Sequence, residues 1–283
     1  MTLYKKLSVP SIIRLDSIIS IYRQNIDDRQ SNGRGESHAF WEFLYLESGH
    51  LRVLVDGSLY SLSPGELILY PPHAFHCVAA SSGTTACNVS FDTDSPALLN
   101  QAGQVLMLSH SAQEDFARIL SMSERVLSLK DTESDRGMLL RDSATQVDIQ
   151  RLANHLELFL LGLCNTETRS NNKNFRNEQF AAFHDYLKKN MDKNLTLEDI
   201  SDGCAVSVAK LQKLCRDYCG CGPVTYFISL KIGAAKQMMK DSSLNITQIS
   251  ERLGFSSLHY FSRLFKDKTG MTPSEFAKSA YKN

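Results

Sequence analysis

Two groups of side chains in this sequence have the types and spacing to do chemistry. The first runs Glu36-x-His38-x-Phe40-x-Glu42, with His76 further along. His38, Phe40, Glu42 and Leu44 occupy alternate positions, which on a strand places them on one face. Two imidazoles and a carboxylate are donor types that zinc or non-haem iron accepts. The same groups serve equally well as hydrogen-bond partners of a small molecule, or as a polar network that satisfies itself. The second group is polar and basic. Leu258, His259, Ser262, Arg263 and Lys266 share one side of a segment whose other side carries Phe261, Leu264 and Phe265 at helical spacing. A fainter copy lies fifty positions earlier, with Ala209, Lys210, Gln212, Lys213 and Arg216 outside and Leu211, Leu214 and Cys215 inside. Arginine pairs in bidentate fashion with guanine and glutamine with adenine, so Arg263 and Gln212 are the candidate base readers. Lys210, Arg216 and Lys266 suit phosphates, where a charge is enough. The competing expectation is a plain helical bundle with solvated basic faces.

The elements that position these groups fall into two halves. From about Phe40 to Phe91 short apolar runs alternate with Gly and Pro: "FWEFLYLESG", "HLRVLVDG", "SLYSLSPG" and "ELILYPP". They predict successive antiparallel strands with tight turns at Ser48-Gly49, Asp56-Gly57 and Pro64-Gly65, and hence a small barrel or jelly roll. Alternation sets Trp41 and Tyr45 on the face opposite His38, and these aromatics, with Tyr60, Tyr70 and Phe75, read mostly as core. From Gln113 onward the pattern turns helical, and Leu152, Leu156, Phe159, Leu160 and Leu163 form one apolar stripe. Such a helix packs on the strands, on a second copy of itself, or on both. "TETRSNNKNFRN", Thr166 to Asn177, is polar and aperiodic and reads as a linker.

Bulk properties narrow the function. A chain of 283 residues accommodates two modest domains. No apolar run approaches the roughly 20 residues that span a bilayer, and Leu156–Cys164 carries Glu157, so no membrane partner is expected. Arg14 and Asp16 interrupt the apolar segment after Lys5 and Lys6, which argues against a cleaved leader. Seven scattered cysteines read as reduced thiols of a cytoplasmic protein. Cys204, Cys215, Cys219 and Cys221 cluster, yet their positions suit small buried hydrophobes better than a zinc or redox site. The zero net charge conceals a split. Residues 1–175 hold 15 Lys and Arg against 20 Asp and Glu, and residues 176–283 hold 16 against 11. The basic half points to a polyanionic partner.

That basic half is a duplicated unit. Ile200 corresponds to Ile249, Leu211 to Phe261, Gly220 to Gly270 and Pro223 to Pro273. Each copy predicts helix, turn, helix. Thr196 with Asp199 and Asn245 with Gln248 have capping-box spacing. Gly254 ends the first helix of copy two, and Ser207 and Ser256 are the expected caps of the second helices. The second helix of such a unit enters the major groove.

"ITQISERLGFSSLHYFSRLFKDKTGMTPSEF" resembles the signature of the AraC-type transcription regulators, and "YFISLKIGAAKQMMKD" (Tyr226 to Asp241) resembles the long helix that joins their two units. The resemblance implies two reading helices in adjacent major grooves, about 10 base pairs apart. Lys213 and Lys231 stand where the family usually has Arg, and Cys215 where it has a core Phe, so copy two is expected to carry more of the specificity. Lysine lacks the planar fork that arginine offers a base. The strand half is similar to a cupin, with Glu36-x-His38-x3-Glu42-x6-Gly49 and Gly65-x5-Pro71-x4-His76 as its motifs. Glu36 stands where metal-binding cupins have their first His.

The expected fold is therefore multi-domain α and β. A cupin-like β-barrel (residues 1–110) is followed by a helical dimerisation segment (111–165) and a linker (166–177). An all-α domain with two helix-turn-helix units closes the chain (178–283). The resemblance implies a regulator, activating rather than repressing, that binds double-stranded promoter DNA as a homodimer and touches RNA polymerase if it activates. A small-molecule effector, such as a sugar or small metabolite, would sit at His38, Phe40, Glu42 and His76, with no metal or other cofactor and no catalytic role. A metal-dependent cupin enzyme, and a regulator whose barrel only dimerises, are the alternatives.

Overall fold

The computed structural model describes residues 7–26, 35–132, 135–166, 178–241 and 243–280. The first half opens with β1 (Ser17–Ile26), β2 (Trp41–Ser48), β3 (Leu51–Val55), β4 (Ser58–Leu62) and β5 (Glu66–Tyr70). It continues with β6 (His76–Ala80), β7 (Thr84–Asp92), a 3-10 turn (Pro96–Gln101) and β8 (Val105–Met107). These strands make two antiparallel sheets, one ordered β1-β7-β2-β5-β8 and one ordered β4-β3-β6.

Only one of the three expected turns joins neighbouring strands. Asp56 (φ 44°) and Gly57 (φ 82°) are both left-handed, as a two-residue hairpin turn requires, and they connect β3 to β4. At Gly49 and Gly65 the chain instead crosses from one sheet to the other, so β2 pairs with β5 and β7 rather than with β3. The crossing lets Leu44 and Leu46 of one sheet bury against Val53, Val55 and Leu62 of the other in a single core. The larger sheet is apolar on its second face as well. Trp41, Phe43 and Tyr45 point there and are covered by α1 (His110–Val126) and α2 (Gln146–Cys164) through Phe116, Ile119, Leu152, Leu156 and Phe159. A strand buried on both sides reads as a continuous apolar run, which is what "WEFLYL" is.

The stretch between the two helices departs from the helical expectation. Leu127–Thr132 and Asp135–Leu140 pair as an antiparallel hairpin, β9 and β10. Leu127, Leu129, Met138 and Leu140 have the two-residue apolar period of strands, and Leu127 and Met138 reach the core under α1 and α2. Gly137 further weakens any helix there. The expected linker lies outside the described residues from position 167 on.

The second half holds α3 (Glu178–Lys189), α4 (Leu197–Cys204), α5 (Val208–Cys219), α6 (Pro223–Asp241), α7 (Ile246–Arg252), α8 (Leu258–Thr269) and α9 (Pro273–Ala280). Thr196 with Asp199 and Asn245 with Gln248 each exchange both capping-box hydrogen bonds, starting α4 and α7. The caps of the second helices differ from expectation. Ser257, not Ser256, accepts from the Tyr260 amide to start α8, and Ser207 precedes α5 without a side-chain cap bond. The two units do not share one core. Ile249, Phe261 and Phe265 pack with the C-terminal part of α6. Phe180, Phe183, Ile200, Leu211, Cys215 and Tyr226 pack together with Leu54, Phe75 and Cys77 of the strand half. The first helix-turn-helix unit and the smaller sheet therefore form one continuous core.

Candidate DNA-reading faces and effector cavity

Leu211 and Cys215 anchor α5, and Phe261 and Phe265 anchor α8, all fully buried. With these inward, a helix must present its remaining positions outward. Ala209, Lys210, Lys213 and Arg216 are exposed on α5 with Gln212 half-buried beside them, and Leu258, His259, Arg263 and Lys266 are exposed on α8 beside half-buried Ser262. Left-handed Gly220 (φ 65°) and Gly270 (φ 78°) stop the two helices at matching points. Leu258 begins its helix and leaves an apolar side chain exposed on this face.

The second cluster is assembled from two separate segments. His38 and Glu42 come from the entry to β2, and His76 opens β6 on the other sheet. His38 Nε2 lies 3.7 Å from Glu42 Oε2, and His76 Nε2 lies 3.7 Å from Glu42 Oε1 and 3.9 Å from Glu36 Oε1. Each imidazole uses its Nδ1 on a main-chain carbonyl, His38 on Phe40 (3.0 Å) and His76 on Ala74 (3.1 Å). A carbonyl only accepts, so both Nδ1 atoms carry the proton and both Nε2 atoms present lone pairs. Those lone pairs face a carboxylate that already accepts from Asn88 Nδ2 (3.1 Å) and Ser90 Oγ (2.6 Å). Neither Nε2 has a hydrogen-bond partner among the described residues. Acceptors facing acceptors are compensated by a cation, either a proton or a metal ion. Burial, the larger effect, together with the neighbouring His76 pushes His38 down to about 3, and burial pushes Glu42 up. The donor atoms of His38, Glu42 and His76 all lie within 4.8 Å of one another and are of types that a divalent metal accepts. Phe40 stacks on His38 at 3.8 Å and Tyr70 on His76 at 4.3 Å, fixing both rings.

Above His38 lies a cavity of about 220 Å³. The strand half supplies the run Glu36 to Phe40 and His73 to its wall, and the helical half supplies Gly233, Lys236, Gln237 and Phe276. Lys236 Nζ also donates to the Ser37 carbonyl at 3.5 Å, and Gly233 lies so close to Ser37 that a Cβ there would come within 3.0 Å of the serine Cβ. Of the four expected ligand residues, His38 and Phe40 line this cavity, while Glu42 and His76 lie beneath it in the polar cluster. The residues from α6 and α9 had no signal in the sequence, where Lys236 and Gln237 are ordinary polar positions of a long helix. Among the cysteines, burial pushes the Cys204 and Cys215 thiols up, in keeping with a packing role.

Two exposed basic helices joined to a strand domain with a polar cavity point to a DNA-binding regulator. Residues 200–279 match the family model described as a helix-turn-helix domain, and residues 25–91 match the cupin domain. The chain is 25% identical over 260 residues to the uncharacterized HTH-type transcriptional regulator YfiF of Bacillus subtilis, covering 87% of this chain and 79% of that one. It is 27% identical over 100 residues to the lactose operon transcription activator of Staphylococcus xylosus, covering 35% of this chain and 36% of that one. The solved structure of ToxT from Vibrio cholerae O395 is 16% identical with a TM-score of 0.38, covering 94% of this chain and 98% of that one. The chain thus joins a cupin domain to a helix-turn-helix domain of AraC type, the two-part composition of a transcription regulator.

Proposed function

We propose that this regulator reads promoter DNA with the outer faces of α5 and α8 and is controlled by a small molecule in the cavity between its halves. The observation that carries this reading is the composition of the cavity wall, six residues from the strand half and four from the helical half. A ligand shifts a conformational equilibrium only through a difference in affinity for the two arrangements. A site walled by both halves has that difference built in, because moving one half dismantles it. The volume suits a sugar or small metabolite rather than the larger ligands of typical 300–1,000 Å³ pockets.

Homodimerisation through α2 completes the reading. Its outer face carries Leu158, 65% exposed, beside half-buried Leu161 and exposed Gly162, an apolar strip that a second copy covers. Leu158→Glu should then sediment as a monomer where the wild type is a dimer. As an activator, in the manner of the lactose operon relative, the protein would also contact RNA polymerase, from the cytoplasm. A second reading rests on the three converging donors, which would hold a metal ion for structure or catalysis.

A thermal-shift screen of chelator-treated protein against small metabolites and divalent metals separates these readings. A ligand at a hundred times its Kd raises stability by about 2.7 kcal/mol. A metabolite response lost in both His38→Ala and Lys236→Ala supports the cavity, and a response to metals alone supports the second reading.

A further inference from the structure

Lys231 lies in α6, the helix that joins the two helix-turn-helix units, and is only 3% exposed. An ammonium carries three donors, and burying it is costly unless they are compensated. The compensation comes from three different segments. Lys231 Nζ donates to the Lys193 carbonyl, in the loop that leads into α4 of the first unit, at 2.5 Å. It sits 4.5 Å from the ring centre of Phe227, on α6 and in the core of the first unit. It also sits 5.1 Å from the ring centre of Phe255, in the turn between α7 and α8 of the second unit. Ring faces attract cations, most strongly where water is excluded. Next to this point the two units touch through their backbones. Gly254 (φ 59°) lies so close to the Asp192 carbonyl that a Cβ there would stand 2.0 Å from the oxygen. The Asp192 charge also favours the ammonium, although burial outweighs it and holds Lys231 down at about 8.

Of the three contacts, the one to Phe255 depends on how the second unit is turned about α6, while Phe227 and the Lys193 carbonyl hold the ammonium on the side of the first unit. We infer that Lys231 is a positioning residue that sets the separation and relative rotation of the two reading helices, and so the spacing of the two DNA half-motifs. The inference rests on the reading that α5 and α8 each contact DNA. Two half-motifs one helical turn apart demand a fixed span, because a change of one base pair rotates the second groove by about a tenth of a turn. Linked modules lose their mutual reinforcement when geometry prevents simultaneous engagement.

The test is selection from a random double-stranded DNA library, followed by sequencing, with the full chain as wild type, Lys231→Met and Phe255→Leu. Lys231→Met keeps length and removes charge; Phe255→Leu removes one ring and keeps the charge, and it carries the test if the methionine variant fails to fold. Wild type should enrich two half-motifs at one spacing. The variants should enrich the same half-motifs over several spacings, and bind the wild-type composite site about tenfold more weakly. Affinity for a single half-motif should stay within about twofold, which a general loss of folding would not allow. Variants that enrich the same motif at the same single spacing overturn the clamp. A wild type that enriches no motif overturns the DNA-reading assignment itself, and an enriched motif of one part overturns the reading of two heads.

Discussion

His184 of α3 and Tyr226 of α6 share a hydrogen bond of 2.6 Å directly beneath the β3–β4 turn. Gly57 in that turn lies flat against the imidazole, where a Cβ would approach its ring to 2.9 Å. Phe75, from the segment entering β6, meets the same tyrosine edge to face at 5.0 Å. The strand half and the first helix-turn-helix unit are thus joined through a buried, titratable seam, flanked at its rim by Lys188 and Asp56 at 3.2 Å.

The seam should be acid-sensitive. Burial, reinforced by Lys188, holds His184 down at about 4, against 6.5 in an unfolded chain. Below pH 6.5 the unfolded chain therefore binds a proton that the folded one refuses, and stability falls with pH until about 4. The expected contribution is about 1.4 kcal/mol per pH unit over that window. Urea unfolding at pH 7 and pH 5 measures it. His184→Gln should lose less stability than wild type on acidification; equal losses would remove His184 as the cause.

Base reading is expected of Arg263 and phosphate binding of Lys266. Arg263→Ala should relax preference at one operator position and cost about 1–3 kcal/mol there. Lys266→Ala should weaken binding to every sequence and lower the salt slope by about one. Binding to permuted operators across a salt series distinguishes the two, and an unchanged preference in Arg263→Ala would take that residue off the reading face.

The polar cluster makes its own prediction. In metal-free protein Glu42 confronts two imidazole lone pairs, and an amide in its place supplies the missing donor. Glu42→Gln should match or exceed the wild type in stability without metal, within about 1 kcal/mol. If zinc stabilises the wild type and the variant fails to respond, the cluster is a metal site. A variant that is strongly destabilised without any metal would show that the carboxylate itself is indispensable to the network.

Much of this molecule was legible in the linear chain because the signals involved are local. Capping boxes at Thr196 and Asn245, the hairpin at Asp56-Gly57 and the inward pairs Leu211/Cys215 and Phe261/Phe265 each need only a few neighbouring residues to declare themselves. The duplicated unit and the exposed outer faces of α5 and α8 followed from the same periodicities. The hairpin at Leu127–Leu140 was missed because its flanking helices dominate the pattern, and its own two-residue period is short.

The tertiary structure alone decided the relationships between distant segments. No spacing in the sequence says that β2 pairs with β7 rather than β3, or that Phe75 and Tyr226 share a core. None says that Ser37 and Lys236, 199 positions apart, wall one cavity. Lys231 illustrates the division most sharply. In the sequence it is a lysine at a position where arginine is usual; in the fold it is buried beneath rings from two units. The physical reason is that propensity and periodicity act over a turn or two of chain, whereas burial and electrostatic compensation depend on which surfaces the folded chain brings together.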